Sequence, residues 1–223
     1  MAYILNIETS TTNCSVALSE SGAVIGFKED NSLEYSHAER LHVYIDEVLK
    51  TAKVSKDQLA AIAISKGPGS YTGLRIGVSA AKGLCYALSL PLISVPTLEA
   101  LAHQVDNPKG TIVAMLDARR MEVYSAIYDA NYNETRSTEA EVLTPESYQE
   151  LLESTPVYFI GNGVAKTKEI ITHKNAQFIE DKLPSAKQMC ALSYDKFKTN
   201  DFEDVAYFEP FYLKDFIAIP SKK

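Results

Sequence analysis

The sequence predicts an α/β protein built as two related halves. Strand-like apolar runs alternate with segments of helical period, which is the pattern of mixed sheets covered by helices. The chain opens on strand, turn, strand, turn, strand. That opening then returns. Residues 3–29 and 111–136 both run apolar strand, acidic residue, polar turn, alternating strand, turn, with Glu8 and Asp117 in matching places. The identities differ and the order of polarity recurs. A chain of 223 residues has room for this, since a domain of that size buries roughly 70% of its unfolded surface.

The first three strands are expected at Tyr3–Ile7, Cys14–Leu18 and Ala23–Phe27, with Gly22 and its serines turning the second into the third. From Ser36 the period becomes helical: Ala38, Leu41, Ile45, Val48, Leu49 and Ala52 share one face, and Ser36 with Glu39 has capping-box spacing. A second box, Ser55 with Gln58, opens a short turn before the buried strand "LAAIAIS". "GPGSYTG" then leads into a helix over 72–88, with Thr72 as its expected cap. "LPLISV" is a strand, and Thr97 is expected to cap "LEALAHQV". The breaker-rich "DNPKG" at 106–110 places a domain boundary, giving halves 1–105 and 106–223.

The second half begins with the strand "TIVAML", the turn "ARR" and the half-buried strand "MEVYSAIYDA". "TPESYQELLES" reads as a helix with Pro145 at its first position. "VYFIG" and "NGVAKTKEIITHK" form a further strand–glycine–helix unit. "SAKQMCALSYDKFKT" is a helix capped by Ser185 with Gln188, and the aromatic, Pro-bounded tail docks without helical period.

Composition narrows the function classes. Lys and Arg number 22 against 29 Asp and Glu, a net charge of −7 with no basic run. Such a chain repels nucleic acid on average, so any RNA in its biology is expected to be gripped by a partner. Three scattered cysteines, Cys14, Cys85 and Cys190, form no CxxC pair and read as buried thiols. The first residues read as a strand rather than a leader, and no apolar run approaches membrane length. The expected location is the cytoplasm.

Two motifs raise the question of a nucleotide. "ETSTTNCS" sets hydroxyls after an acid, and Thr9, Ser10 and Thr11 are candidate phosphate contacts. A polar hairpin turn is the alternative. Gly67, Gly69 and Ser70 of the second loop are further candidates, because a helix N-terminus receives anions. That loop lacks the GKS or GKT of a Walker A motif. The helix after it carries Gly73, Gly77, Ala80, Ala81 and Gly83. Each glycine costs a helix about 1 kcal/mol relative to Ala, and close packing against a neighbouring helix is the expected compensation. His37 and His42 point about 140° apart on their helix and do not chelate together. His103 and His173 are isolated, and all four read as surface or cap residues. No metal site, GxSxG elbow or catalytic group emerges. "GNG" at 161–163 reads either as a ligand contact or as a left-handed turn.

"ILNIETSTTNCSVAL", "SKGPGSYTGLRIGVSAAKG", "LDARRMEVYSAIY" and "EPFYL", in order along the whole chain, resemble the TsaB family, formerly YeaZ. The resemblance implies the duplicated fold of actin, sugar kinases and Hsp70. It implies a non-catalytic relative of TsaD, the transferase that places a threonylcarbamoyl group on the adenosine beside the anticodon, with the TsaE ATPase as a further partner. It also implies a homodimer when alone and contact with tRNA only through the complex. No cofactor is required; ATP or ADP at the interface with TsaD is a candidate ligand. TsaD-like proteins carry HxxxH, where "SHAERLH" stands here, and Glu8 replaces the Asp common among the fold's nucleotide users. The family's partner surface maps to residues 37–52 and 72–88. It points to Arg40, Leu41, Tyr44, Tyr71, Leu74, Arg75, Val78, Ser79 and Lys82 as interface residues. A small-molecule kinase with Asp117 as base is the second reading. A metallopeptidase, after an older label on such proteins, is the third.

Overall fold

The computed structural model describes residues 1–31 and 37–214. The first sheet holds β1 (Tyr3–Glu8), β2 (Cys14–Glu20), β3 (Ala23–Asp30), β4 (Leu59–Ser65) and β5 (Leu92–Val95), in the order β3-β2-β1-β4-β5. The second holds β6 (Thr111–Asp117), β7 (Glu122–Tyr128), β8 (Glu134–Val142), β9 (Val157–Ile160) and β10 (Ala176–Ile179), in the order β10-β9-β6-β7-β8. The two orders are one topology. In each, three antiparallel strands form a meander and two parallel strands extend it from the first strand. Glu8 and Asp117 both end the leading strand of their sheet.

The central strands are covered on both faces, so they read as unbroken apolar runs. An exposed edge strand such as β3 escapes that demand, whereas the edge strand β5 is buried throughout. β8, "ETRSTEAEV", carries little apolar signal, and β10, "AQFI", is only four residues long; both lie at edges and have no counterpart among the expected strands.

Parallel pairing needs crossovers. α1 (His37–Ala52) with a 3₁₀ turn at Lys56–Gln58 links β3 to β4, and α2 (Tyr71–Leu88) links β4 to β5. Both cover one face of the first sheet. Leu41, Tyr44, Ile45, Val48 and Leu49 of α1 and Val78, Ala81 and Cys85 of α2 join Leu5, Ile7, Val16 and Leu18 there. The other face is covered from the far end of the chain. Ala186, Met189 and Cys190 of α6 (Ala186–Lys198) meet Ile4, Ala17, Ala63 and Ile93. Conversely, Leu98, Leu101 and Ala102 of α3 (Thr97–Ala102) pack with Ile112, Ala114, Leu116 and Tyr128 of the second sheet. The passage between sheets lies in 103–110, and one helix from each side of it covers the other side's sheet. α4 (Gln149–Ser154) and α5 (Val164–Ile170) supply Leu152 and Val164 to the remaining face.

Several helix ends differ from expectation. α2 is capped by Ser70, whose Oγ accepts from Gly73 N at 3.2 Å, and Thr72 is exposed within the helix. Thr97 lies inside α3, after Pro96, and its Oγ1 accepts from Gly67 N at 3.1 Å. Residues 145–148 form a turn, and α4 begins only at Gln149 because Tyr148 takes a φ of +62°. That conformation delivers the Tyr148 hydroxyl to Glu141 and, at 3.2 Å, to Ser125, so a buried polar cluster outweighs an early helix start. Ser185 caps α6 by accepting from Lys187 N, while Gln188 Oε1 has no partner and completes no box. Gln58 does reach back to Ser55 N, at 2.9 Å. The expected box of Ser36 with Glu39 lies outside the described residues. In α1, His37 rather than Ala38 takes the first inward position.

All three cysteines are free and buried. Burial pushes the Cys14 thiol up to about 11 and those of Cys85 and Cys190 up to about 12. A thiol reagent at pH 8 is therefore expected to modify the native protein very slowly and all three thiols once denatured. Rapid stoichiometric labelling of the native protein would contradict this packing.

Candidate functional site

The loop Lys66–Ser70 and the turn after β1 meet face to face. Ser70 N donates to Ser10 O at 2.6 Å, and Thr9 Oγ1 donates to Gly73 O at 2.8 Å. A Cβ on Gly69 would lie 2.4 Å from Ser10 O, one on Gly73 2.1 Å from Thr9 O, and one on Gly77 2.2 Å from Thr9 Oγ1. These glycines admit the turn of "ETSTTNCS". The expected neighbouring helix is not what they approach, and Gly83 faces open space. Thr9 and Ser10 are consequently buried beneath the first turns of α2, and Thr11 is buried beside them.

Glu8 is fully buried at this junction. Its Oε1 accepts from Ser10 N at 2.6 Å, while Oε2 has no partner. Burial pushes its carboxyl above the ordinary range, and the groups of Ser10, Ser65 and Thr9 around it offset only part of that rise. His37 is buried, contrary to its reading as a surface residue, with Nε2 2.7 Å from Thr11 O. It joins α1 to the same turn, while His42 is exposed. Among the described residues no group of three or more His, Cys, Asp or Glu is placed to hold a metal ion.

The outer side of α2 borders a cleft of about 550 Å³, closed on its far side by the C-terminal segment. Tyr71, Arg75, Val78, Ser79 and Lys82 line it opposite Phe208, Glu209, Pro210, Tyr212 and Lys214. The Tyr71 and Tyr212 rings lie 4.9 Å apart, and the Arg75 guanidinium sits 4.8 Å from the Tyr71 centroid. Lys82 Nζ donates to Ala206 O at 3.1 Å and Phe208 O at 2.9 Å, which ties the segment down.

The nine expected interface residues thus divide. Leu41, Tyr44 and Leu74 belong to the chain's own core, because the inward stripe of an amphipathic helix is spent on its sheet. Arg40 pairs with Asp30, to which the Tyr44 hydroxyl also donates, so both fasten α1 to β3. Lys82 serves the tail, and Val78 is the buried floor of the cleft. Tyr71 is half-buried, and Arg75 and Ser79 are exposed. Tyr86 and Tyr207, 86% and 84% exposed, were not anticipated. Tyr86 continues the stripe of Arg75, Ser79 and Lys82 at helical spacing, a signal present in the sequence. Tyr207 lies on an aperiodic segment that gives no such signal.

In the second lobe the matching turn is open. Asp117 Oδ1 accepts from Arg119 N at 2.6 Å and from Lys166 Nζ at 3.0 Å. Asn162 of "GNG" accepts from Asp117 N at 2.9 Å, and Gly161, with a φ of +115°, makes the left-handed turn. No helix among the described residues is long and apolar enough to cross a membrane.

Residues 32–221 match the family model described as TsaD: tRNA N6-adenosine threonylcarbamoyltransferase. The tRNA threonylcarbamoyladenosine biosynthesis protein TsaB of Escherichia coli (strain K12) is 32% identical, over 99% of both chains. Its namesake from Haemophilus influenzae is 30% identical, over 95% of this chain and 93% of that one. The solved structure of YeaZ from Pseudomonas aeruginosa superposes with a TM-score of 0.82 at 27% identity, covering 96% of this chain and 100% of that one. The doubled sheet topology and these matches define a two-lobed α/β protein of the actin-like, TsaD-related class. Within that class the chain belongs to the TsaB family of tRNA threonylcarbamoyladenosine biosynthesis proteins.

Two outcomes test the junction. Gly73→Ala is expected to destabilise the fold by about 1–3 kcal/mol through overpacking against Thr9. Gly83→Ala, on the open side of the same helix, is expected to stabilise it by about 0.4–1 kcal/mol. Chemical denaturation of both variants checks the opposed signs. Glu8 takes up more protons folded than unfolded, so stability falls as pH rises above the ordinary Glu value toward the raised one. Glu8→Gln should remove that fall, and parallel stability–pH curves for the two proteins would refute it.

Proposed function

We propose that this chain is the non-catalytic subunit of a tRNA-modifying assembly. It docks a TsaD-type transferase through the outer side of α2, and a TsaE-type ATPase joins the complex. The assembly places the threonylcarbamoyl group on the adenosine beside the anticodon, and this chain meets tRNA only as part of it. The observation that carries the reading is the face of α2. Its inner stripe is spent on the sheet, while Arg75, Ser79 and Tyr86 project outward beside Tyr207. Aromatic and arginine side chains of this kind anchor interfaces. Alone, the protein uses the same face to form a homodimer, and the two pairings compete.

A nucleotide at Thr9–Thr11 would have to displace the first turn of α2, whose Ser70 N and Gly73 O are bonded there. The interface with the transferase is therefore the better place for ATP or ADP. The kinase reading would make Asp117 a base, yet that carboxylate already accepts from Lys166 and the Arg119 amide. The protein works in the cytoplasm, where the assembly meets tRNA.

The test combines purified protein, transferase, ATPase, threonylcarbamoyl-adenylate and unmodified tRNA. Transfer should require this chain, and the chain alone should turn over neither ATP nor tRNA. Metabolite-stimulated ATP turnover by the chain alone would favour the kinase. Arg75→Glu with Ser79→Glu should weaken association with the transferase by about 100-fold or more and leave the melting temperature nearly unchanged.

A further inference from the structure

The β6–β7 turn carries residues that its own geometry does not call for. Arg119 and Arg120 have φ of +71° and +50°. Consecutive positive φ in a hairpin turn is the setting that Asn and Gly adopt most cheaply, and bulkier side chains hold it only where the surroundings impose it. Here they do. Asp117 Oδ1 accepts from Arg119 N at 2.6 Å. Lys166 Nζ donates to Arg120 O at 2.9 Å and Glu122 O at 2.5 Å as well as to Asp117. The Lys166 side chain is only 12% exposed, so a nearly buried ammonium clamps the turn from within.

Both arginines are exposed, and among the described residues neither guanidinium has a hydrogen-bond, ion-pair or ring partner. The neighbouring acids are already neutralised, Asp117 by Lys166 and Glu122 by Lys214. Counting the turn and its ion-pair partners, four cations meet two carboxylates, an excess of two positive charges in a chain of net −7. Lys214 also lines the α2 cleft, so the turn borders the face assigned to the transferase.

We propose that Arg119 and Arg120 form a preorganised contact for RNA phosphates, by which this chain itself touches the tRNA held by its partner. The proposal rests on the tRNA-modifying role above. Guanidinium groups match phosphate oxygens in pairs, and a phosphate contact needs charge rather than apolar surface. The turn itself exposes no large apolar side chain, and Val142 opposite Glu122 is 64% exposed; one valine does not make the apolar centre that a protein partner would need. The partner supplies most of the grip and this turn adds two contacts at a fixed register.

The test is the salt dependence of tRNA binding by the assembled complex with the transferase, for wild type, Arg119→Gln/Arg120→Gln and Arg119→Lys/Arg120→Lys. Losing two phosphate contacts should lower the magnitude of the log K against log salt slope by about 1.4–1.8. The lysine variant should keep the slope. Melting temperature and association with the transferase should stay at wild-type values in both variants. An intact complex with an unchanged slope overturns the proposal and leaves the proposed function standing. Loss of association in the glutamine variant overturns it in favour of a protein contact. A wild-type chain that forms no complex, or whose complex binds no tRNA, overturns the proposed function and this proposal with it.

Discussion

Two backbone carbonyls, those of Thr9 and Ser10, meet the start of α2 at distances only glycine permits. Much of the first lobe follows from that contact. It sets where α2 begins, because Ser70 is bonded to Ser10 and caps the helix in the same step. It buries the hydroxyl turn and encloses Glu8. It also fixes which side of α2 faces the sheet and which side is left exposed. The cost of several helical glycines is offset by close approach, where a Cβ would meet main-chain oxygen that has nowhere to move.

The two lobes share a topology, and this junction is one place where they differ. In the first, a loop with well-spaced glycines feeds an 18-residue helix that closes over the turn. In the second, "GNG" feeds a helix of 7 residues, and the turn remains open above Lys166. The acid at the end of the leading strand follows suit. Glu8 is sealed and holds its proton more tightly, while Asp117 is half-exposed and ion-paired. One strand–turn–strand unit has become structural, and its copy presents charge to solvent.

The C-terminal segment links the two regions. Lys82 holds it along α2 through two carbonyls, Tyr212 packs on Tyr71, and Lys214 reaches Glu122 beside the arginine turn. The face around the α2 cleft is therefore a composite of a helix of the first lobe, the last described residues and a turn of the second lobe. Exchange of α3 and α6 between sheets ties the lobes together at the level of the core, since each sheet needs a helix from the other half to cover one face.

The sequence by itself determined the central strands, the three long helices and the duplication, because these depend on period and on burial of both faces, which are written locally. It also carried the family, through motifs distributed along the chain. It did not reveal β8, whose exposed edge position relaxes the apolar pattern, or β10, which is only four residues long, nor the delayed start of α4, which a buried hydroxyl at Tyr148 decides. The candidate site was legible only in outline. Of the residues the sequence pointed to, Leu41, Tyr44 and Leu74 face inward and Lys82 is taken by the tail. Which residues of a helix remain free depends on everything that packs against it. That was decided by the tertiary structure, through contacts such as Lys82 to Phe208 that span more than half the chain and leave no trace in local spacing.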